Sequence, residues 1–362
     1  MKPASISPAR IRQFGDPEDA AFCLVTNREF ISQIHLEREG GYSDYLILEY
    51  ENGDRFSELL AKKIPEHAHI LVISPNAFFQ SPRAEELGSR RKLLAMACNS
   101  TPTAWDMIPR FLKIVEDTDP EEQQRFTDRF FAMGEASAYL EFVDERYGTR
   151  ARLEHLDERY LWNEQAGLLN WGGQQLAPSG EISVLPLHIW DFDSNLYLKF
   201  NGTIAIQGYP ILHNGTPSFL RADQARIHGQ LACLSREALI ATVENGRIVD
   251  LKAAGPEAQP AHDMMTAMFE VDSRYRIIWE LGFAINTHST IVPGNFAMNE
   301  VFGAENGTIH FGLGLTPHTQ YHLDLICPGL TVLTDKGQVV LGRRGPVGAM
   351  PRVRAEGCAC LE

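Results

Sequence analysis

Up to about Ala136 the chain alternates short apolar runs with stretches of helical period. Residues 21–26, 45–50 and 69–74 predict strands, and residues 56–64 and 83–97 predict helices. Asp119-Pro120-Glu121-Glu122 predicts a helix start, with Asp119 as cap, Pro120 in the first helical position and Glu122 closing a capping box; the helix runs to about Gly134. These elements make a small α/β domain over residues 1–136. Ser74-Pro75-Asn76 after its third strand is an ordinary turn, and no glycine-rich nucleotide loop is present.

Beyond Ala136 the pattern becomes one of short strands, at 139–144, 151–155, 182–186, 196–200, 203–207, 238–243, 248–252, 308–313, 321–326 and 331–334. Asn-Gly pairs at Asn201, Asn214, Asn245 and Asn306 suit the tight turns of antiparallel hairpins. A helix at about 263–269 and a segment near 276–282 interrupt the strands. The expectation is an α+β protein: the small α/β domain, a β-rich domain over 137–346, and a flexible Gly/Pro-rich tail over 347–362.

The chain has 362 residues, 44% of them hydrophobic, which is ample for a packed core. A net charge of -14 argues against nucleic-acid phosphate or an anionic membrane as partner. No segment reads as a signal peptide or a membrane span, so a cytoplasmic protein is expected. Cys23, Cys98, Cys233 and Cys327 read as buried reduced thiols, and Cys358 and Cys360 as part of the mobile tail.

The candidate chemistry lies in four separated stretches: Glu181 in PSGEISVLP, Glu280 in IIWELGF, His310 in GTIHFGLG, and His322 with Asp324 in YHLDLI. Imidazole nitrogen and carboxylate oxygen suit Zn, Mn, Fe or Co, and two such ions need about this many ligands. Strand period puts His322 and Asp324 on one face and Tyr321, Leu323 and Leu325 on the other. The same period sets His310 apart from Ile309, Phe311 and Leu313, with Gly312 leaving room near the imidazole. Asp191 and Asp193 read as a solvated edge, and Trp162, Trp171, Trp190 and Trp279 as core or as the lining of a pocket. No Gly-x-Ser-x-Gly elbow supports a serine hydrolase.

The segments PSGEISVLP, ENGRIVDLKA, WELGFAINTHSTIVPGN, NGTIHFGLG and HLDLICPG, in this order, resemble the leucyl aminopeptidase T family of metallopeptidases and the related iron-dependent 2,5-dihydroxypyridine dioxygenases. The resemblance spans roughly residues 137–342. It implies Glu181, Glu280, His310, His322 and Asp324 as ligands of two divalent ions, with Glu280 also a general base, and it implies a homodimer. The family's catalytic Tyr, which follows the His of the GTIH-like strand, has no counterpart here: only residues 311–321 separate the two strands, and Tyr321 takes the opposite face from His322. His318 in LTPHTQ is the nearest replacement polar group.

Three functions follow from this. The leading one is an aminopeptidase-like hydrolase of a peptide or peptide-like molecule, using Zn, Mn or Co. The second is a non-haem Fe(II) dioxygenase with His310, His322 and Asp324 as the 2-His-1-carboxylate set. The third is a non-catalytic peptide-binding protein of peptide natural-product biosynthesis, of the kind found in the crocagin pathway.

Overall fold

The computed structural model describes residues 3–77, 79–96, 103–187, 195–216, 218–292, 294–303, 306–315 and 318–343. Trp190, Asp191, Asp193, Cys98 and the tail with Cys358 and Cys360 lie outside them. The fold is an α+β mixture in two compact units, residues 1–124 with 165–180 and residues 125–164 with 181–362. A single boundary at residue 136 does not describe this division, which runs through the helix Pro120–Glu135 and returns sixteen residues to the first unit. Among the described residues no helix is long and apolar enough to cross a membrane.

The first unit holds a five-stranded parallel sheet in the order Gln174–Ala177, Arg91–Met96, Ala68–Ile73, Ala21–Thr26, Asp44–Glu49. The helix expected over 83–97 is confined to Ala84–Leu87; Gly88, at φ 77°, ends it, and Arg91–Met96 is a strand. All six residues of that strand are buried, so the polar alternation that marks a strand in the sequence is missing. Arg91 is tolerated there because its guanidinium donates to the carbonyls of Leu60, Ile64, Pro65 and Leu87 at 2.8–3.1 Å. The returning segment is fixed by buried amides: Ser179 Oγ donates to Gln123 Oε1 at 2.9 Å, and the same oxygen accepts the Gly167 N–H at 3.0 Å. Asp119 caps Pro120–Glu135 as the sequence indicates, accepting the N–H groups of Glu121 and Glu122.

The second unit contains two sheets. A seven-stranded antiparallel sheet runs from Arg247–Ala253 at one edge to Val339–Leu341 at the other, with Phe200–Ile206, Thr149–Leu153 and Leu140–Asp144 at its centre. Asn201-Gly202 lies inside a strand of this sheet and is not a turn; Asn245-Gly246, with φ 47° and 69°, is the expected hairpin turn. The six-stranded sheet is built from β1 (Tyr160–Gln165), β2 (Glu181–Pro186), β3 (Tyr209–Asn214), β4 (Ile278–Ala284), β5 (Ile309–Leu313) and β6 (Tyr321–Cys327), in the order β3-β6-β5-β4-β2-β1. The segment near 276–282 is thus mostly a central strand, its apolar positions Trp279, Leu281 and Phe283 all buried.

The two sheets meet through aromatic edges. Phe283 of β4 lies 5.8 Å from Phe142, and Phe311 of β5 lies 6.2 Å from Phe200 of the seven-stranded sheet. Phe130 packs on Phe283 from the helix side at 4.9 Å, and Trp162 stacks on it at 5.9 Å. Phe283 is therefore the common point of the core, and Phe283→Ala is expected to cost about 3–5 kcal/mol, read as a fall in the midpoint of urea unfolding.

Candidate metal centre

With Trp279, Leu281, Phe283 and Phe311 committed to the core, strand period turns Glu280, Gly282, His310, Gly312, His322 and Asp324 to the other face of the six-stranded sheet. The register sets Gly282 opposite His310, Glu280 opposite Gly312, and Gly312 opposite Asp324; Ala284 pairs Glu181, and His213 of β3 pairs His322. Two glycines make this convergence possible. A Cβ on Gly282 would stand 1.8 Å from His310 Cε1, and one on Gly312 would stand 2.8 Å from Glu280 Cβ and 3.1 Å from both Asp324 Oδ1 and His322 Cε1. The His310 imidazole thus lies across Gly282; Gly312, which the sequence suggested as its neighbour, makes room for Glu280, His322 and Asp324.

The five expected residues come together in two groups joined by Glu280. In the first, His310 Nε2 lies 3.7 Å from Glu181 Oε1 and 3.9 Å from Glu280 Oε1. In the second, His322 Nε2 lies 3.6 Å from Glu280 Oε2 and 3.1 Å from Asp324 Oδ1. A third group, His213 with Glu300 and Asp324, was not anticipated. His213 stands in the run YPILHN ahead of an Asn-Gly pair, where the turn signal masked the strand, and Glu300 lies in a 3-10 turn, Ala297–Val301, whose sequence has no ligand pattern. His318 belongs to none of the three groups; its N–H donates to the Leu315 carbonyl at 2.6 Å.

The donor set fits divalent ions on three counts. Separations of 3.6–3.9 Å are too long for hydrogen bonds. They are close to the edge, about 3.4 Å, of a tetrahedron with metal–ligand bonds of 2.0–2.2 Å. Asp324 Oδ1 is buried without a hydrogen-bond partner although His322 Nε2 is near it. His322 Nδ1 donates to the Gly314 carbonyl at 2.9 Å, which leaves Nε2 as the nitrogen facing Glu280 and Asp324. His310 differs, since its buried Nδ1 has no protein partner.

Electrostatics without an ion is that of an internally neutralised cluster. Burial alone would lower the histidines, yet the carboxylates overcome it: Glu280 and Glu181 hold His310 up at about 10, and Asp324 holds His322 up at about 9. Burial would raise Asp324, but His322 and His213 hold it well below the usual carboxylate range; Glu280, also pushed up by burial, is pulled below its ordinary value by His310. Burial dominates at Glu181 and pushes it up to about 8.

No protein-family profile and no curated protein matches the sequence. Among solved structures, the fold is similar to that of 2,5-dihydroxypyridine dioxygenase from Pseudomonas putida KT2440, at TM-score 0.55 and 14% identity over 94% of this chain and 97% of that one. Wild-type AmpT from Thermus thermophilus gives TM-score 0.49 and 13% identity over 92% and 96%. Coverage of 94% takes in the first unit as well, beyond the span carried by the sequence motifs.

Two outcomes are expected. Gly282→Ala drives the His310 ring off its strand and weakens divalent-ion affinity by about 10–100-fold, measured by calorimetric titration with circular dichroism as the fold control. Ion uptake at neutral pH releases protons, because His310, His322 and Glu181 are raised to about 10, 9 and 8 and hold protons that a ligand atom must lose. Affinity therefore rises from pH 6 to pH 8, and the heat of binding differs between buffers of unlike ionisation enthalpy. The chain thus shares a fold, at a distance, with the 2,5-dihydroxypyridine dioxygenase, and its own site is a candidate centre for divalent metal.

Proposed function

We propose that this protein is a divalent-metal-dependent hydrolase of peptides or peptide-like molecules. The observation that supports it is the position of Glu280, whose Oε1 faces His310 at 3.9 Å while its Oε2 faces His322 at 3.6 Å. One carboxylate thus turns an oxygen toward each of the two ligand groups, so that one oxygen could hold an ion while the other stays free as a base. Zn, Mn or Co held by these residues would lower the pKa of a bound water and polarise a carbonyl.

The protein's own groups supply the rest. Glu280, held below its ordinary pKa by His310, is ionised at neutral pH and is assigned the water's proton. Glu280 and Asp324, held ionised by the neighbouring histidines, favour a substrate that brings a free amine, which is the aminopeptidase case. His318 is given no role in this reading. A homodimer is part of the proposal, and light scattering at micromolar concentration is expected to return twice the mass of one chain.

A second reading draws on the fold shared with the dioxygenase: one Fe(II) held by His310, His322 and Asp324. Against it, the structure groups His310 with Glu181 and Glu280, and His322 with Glu280 and Asp324. Metal content of anaerobically purified protein separates the two, being iron in one case and zinc, manganese or cobalt in the other.

Supplied with Zn, Mn or Co, the wild-type protein is expected to release new amine from at least one member of a broad peptide panel. Glu280→Gln keeps the fold and part of the metal while lowering turnover by about 10²-fold or more, since an amide offers a metal an oxygen but accepts no proton. Absence of turnover together with tight peptide binding that resists chelator overturns the hydrolase and leaves a peptide-binding protein.

A further inference from the structure

His213 and Glu300 lie beside the five anticipated residues and carry no assigned part. His213 Nε2 is 2.8 Å from Glu300 Oε1, a hydrogen bond, and 3.1 Å from Asp324 Oδ2, the same separation as His322 Nε2 from Asp324 Oδ1; the remaining separations in the two groups sharing Glu280 are 3.6–3.9 Å. One imidazole N–H is thus shared between two carboxylates. Asp324 is left with its two oxygens in unlike surroundings: Oδ2 is taken by His213, and Oδ1 is buried without a hydrogen-bond partner beside His322.

The backbone that carries this pair is rigidly held. On the His213 strand, Leu212 gives its N–H to Asn295 Oδ1 at 2.7 Å and receives Gln224 Nε2 on its carbonyl at 2.7 Å. On the Glu300 side, Asn299 is fully buried and bonds Val292 twice, accepting its N–H at 2.7 Å and donating to its carbonyl at 2.9 Å. Three buried side chains, Gln224, Asn295 and Asn299, thus fix the strand and the turn from which the imidazole and the carboxylate reach each other.

We propose that His213, anchored by Glu300, is the positioning residue of the His322 ion position: by occupying Oδ2 of Asp324 it leaves Oδ1 as the one atom that Asp324 presents to a divalent ion. The inference rests on the metal-site reading. It makes Asp324 a single-oxygen ligand and places the second carboxylate oxygen in a fixed hydrogen bond, the kind of outer support that sets ligand orientation. His213 is not itself a ligand in this arrangement.

The test compares wild type, His213→Ala, His213→Gln, Glu300→Gln and His322→Ala, titrated with Co(II) and Zn(II) in the full-length chain. Bound ion per chain is measured after dialysis against a competing chelator, and the Co(II) absorption spectrum is recorded. His213→Ala is expected to keep the ion of the Glu181/Glu280/His310 group and to lose affinity at the His322 position by about 10–100-fold. His213→Gln, which restores an N–H donor toward Asp324, recovers most of that loss with a wild-type Co(II) spectrum. Retention of the first ion shows that the variant is folded; where His213→Ala does not fold, Glu300→Gln is read in its place, with a smaller loss confined to the same position.

Wild-type affinity at both positions in His213→Ala, or in Glu300→Gln when that is the variant read, overturns the proposal. So does a His213→Gln variant as deficient as His322→Ala with a shifted Co(II) spectrum, which makes His213 a ligand. Failure of wild type to bind any ion overturns the metal-site reading itself, a result distinct from either of these.

Discussion

Seven ionisable side chains, three imidazoles and four carboxylates, converge on one face of the six-stranded sheet. Removing any one of them from water alone is costly, and the arrangement exists because each faces groups of opposite charge. His310, His322 and His213 are raised to about 10, 9 and 10 while Glu280 and Asp324 are lowered, so that without an ion these five are imidazolium and carboxylate, and Glu181, raised to about 8, keeps its proton at neutral pH. The rest of the second unit serves this constraint. The opposite face of β4, β5 and β6 is built of buried apolar and aromatic side chains, Phe283 and Phe311 among them packing on the seven-stranded sheet, which keeps the polar face in register, and two glycines replace the side chains that would otherwise fill it.

Much of this was legible in the chain. Tyr321 to Leu325 and Ile309 to Leu313 alternate cleanly, so the placement of His322 with Asp324 on one face of their strand, and of His310 opposite Ile309, Phe311 and Leu313 on its own, followed from period alone, while bringing the two strands to one site took the family resemblance. Glu280 was harder, because its strand is buried on its apolar face and interrupted by Gly282, and such a run looks the same in a helix or a strand. Arg91–Met96 was misread for a related reason: a central parallel strand with six buried residues has no alternation to show.

What the sequence did not reveal is long-range pairing. His213 and Glu300 are separated by 87 positions and meet only because the strand Tyr209–Asn214 adds to the edge of β6 while Asn299 pins the turn beside it. Neither stretch carries a local pattern of metal chemistry, and one imidazole in an apolar strand is as ordinary as any. The role of Gly282 was hidden likewise, since the clash it avoids is with a residue on a neighbouring strand.

The route of the chain has a consequence for how the protein is dissected. Gln174–Ala177 lies on the outer edge of the first unit's parallel sheet, yet it is made after the polypeptide has already supplied three strands, Leu140–Asp144, Thr149–Leu153 and Tyr160–Gln165, to the second unit. A fragment ending near residue 136 would therefore leave Arg91–Met96 as an uncovered, apolar edge, the kind of surface that recruits strands from other molecules. The first unit is not a separable module in the genetic sense: a ribosome must have passed residue 180 before its sheet can be completed.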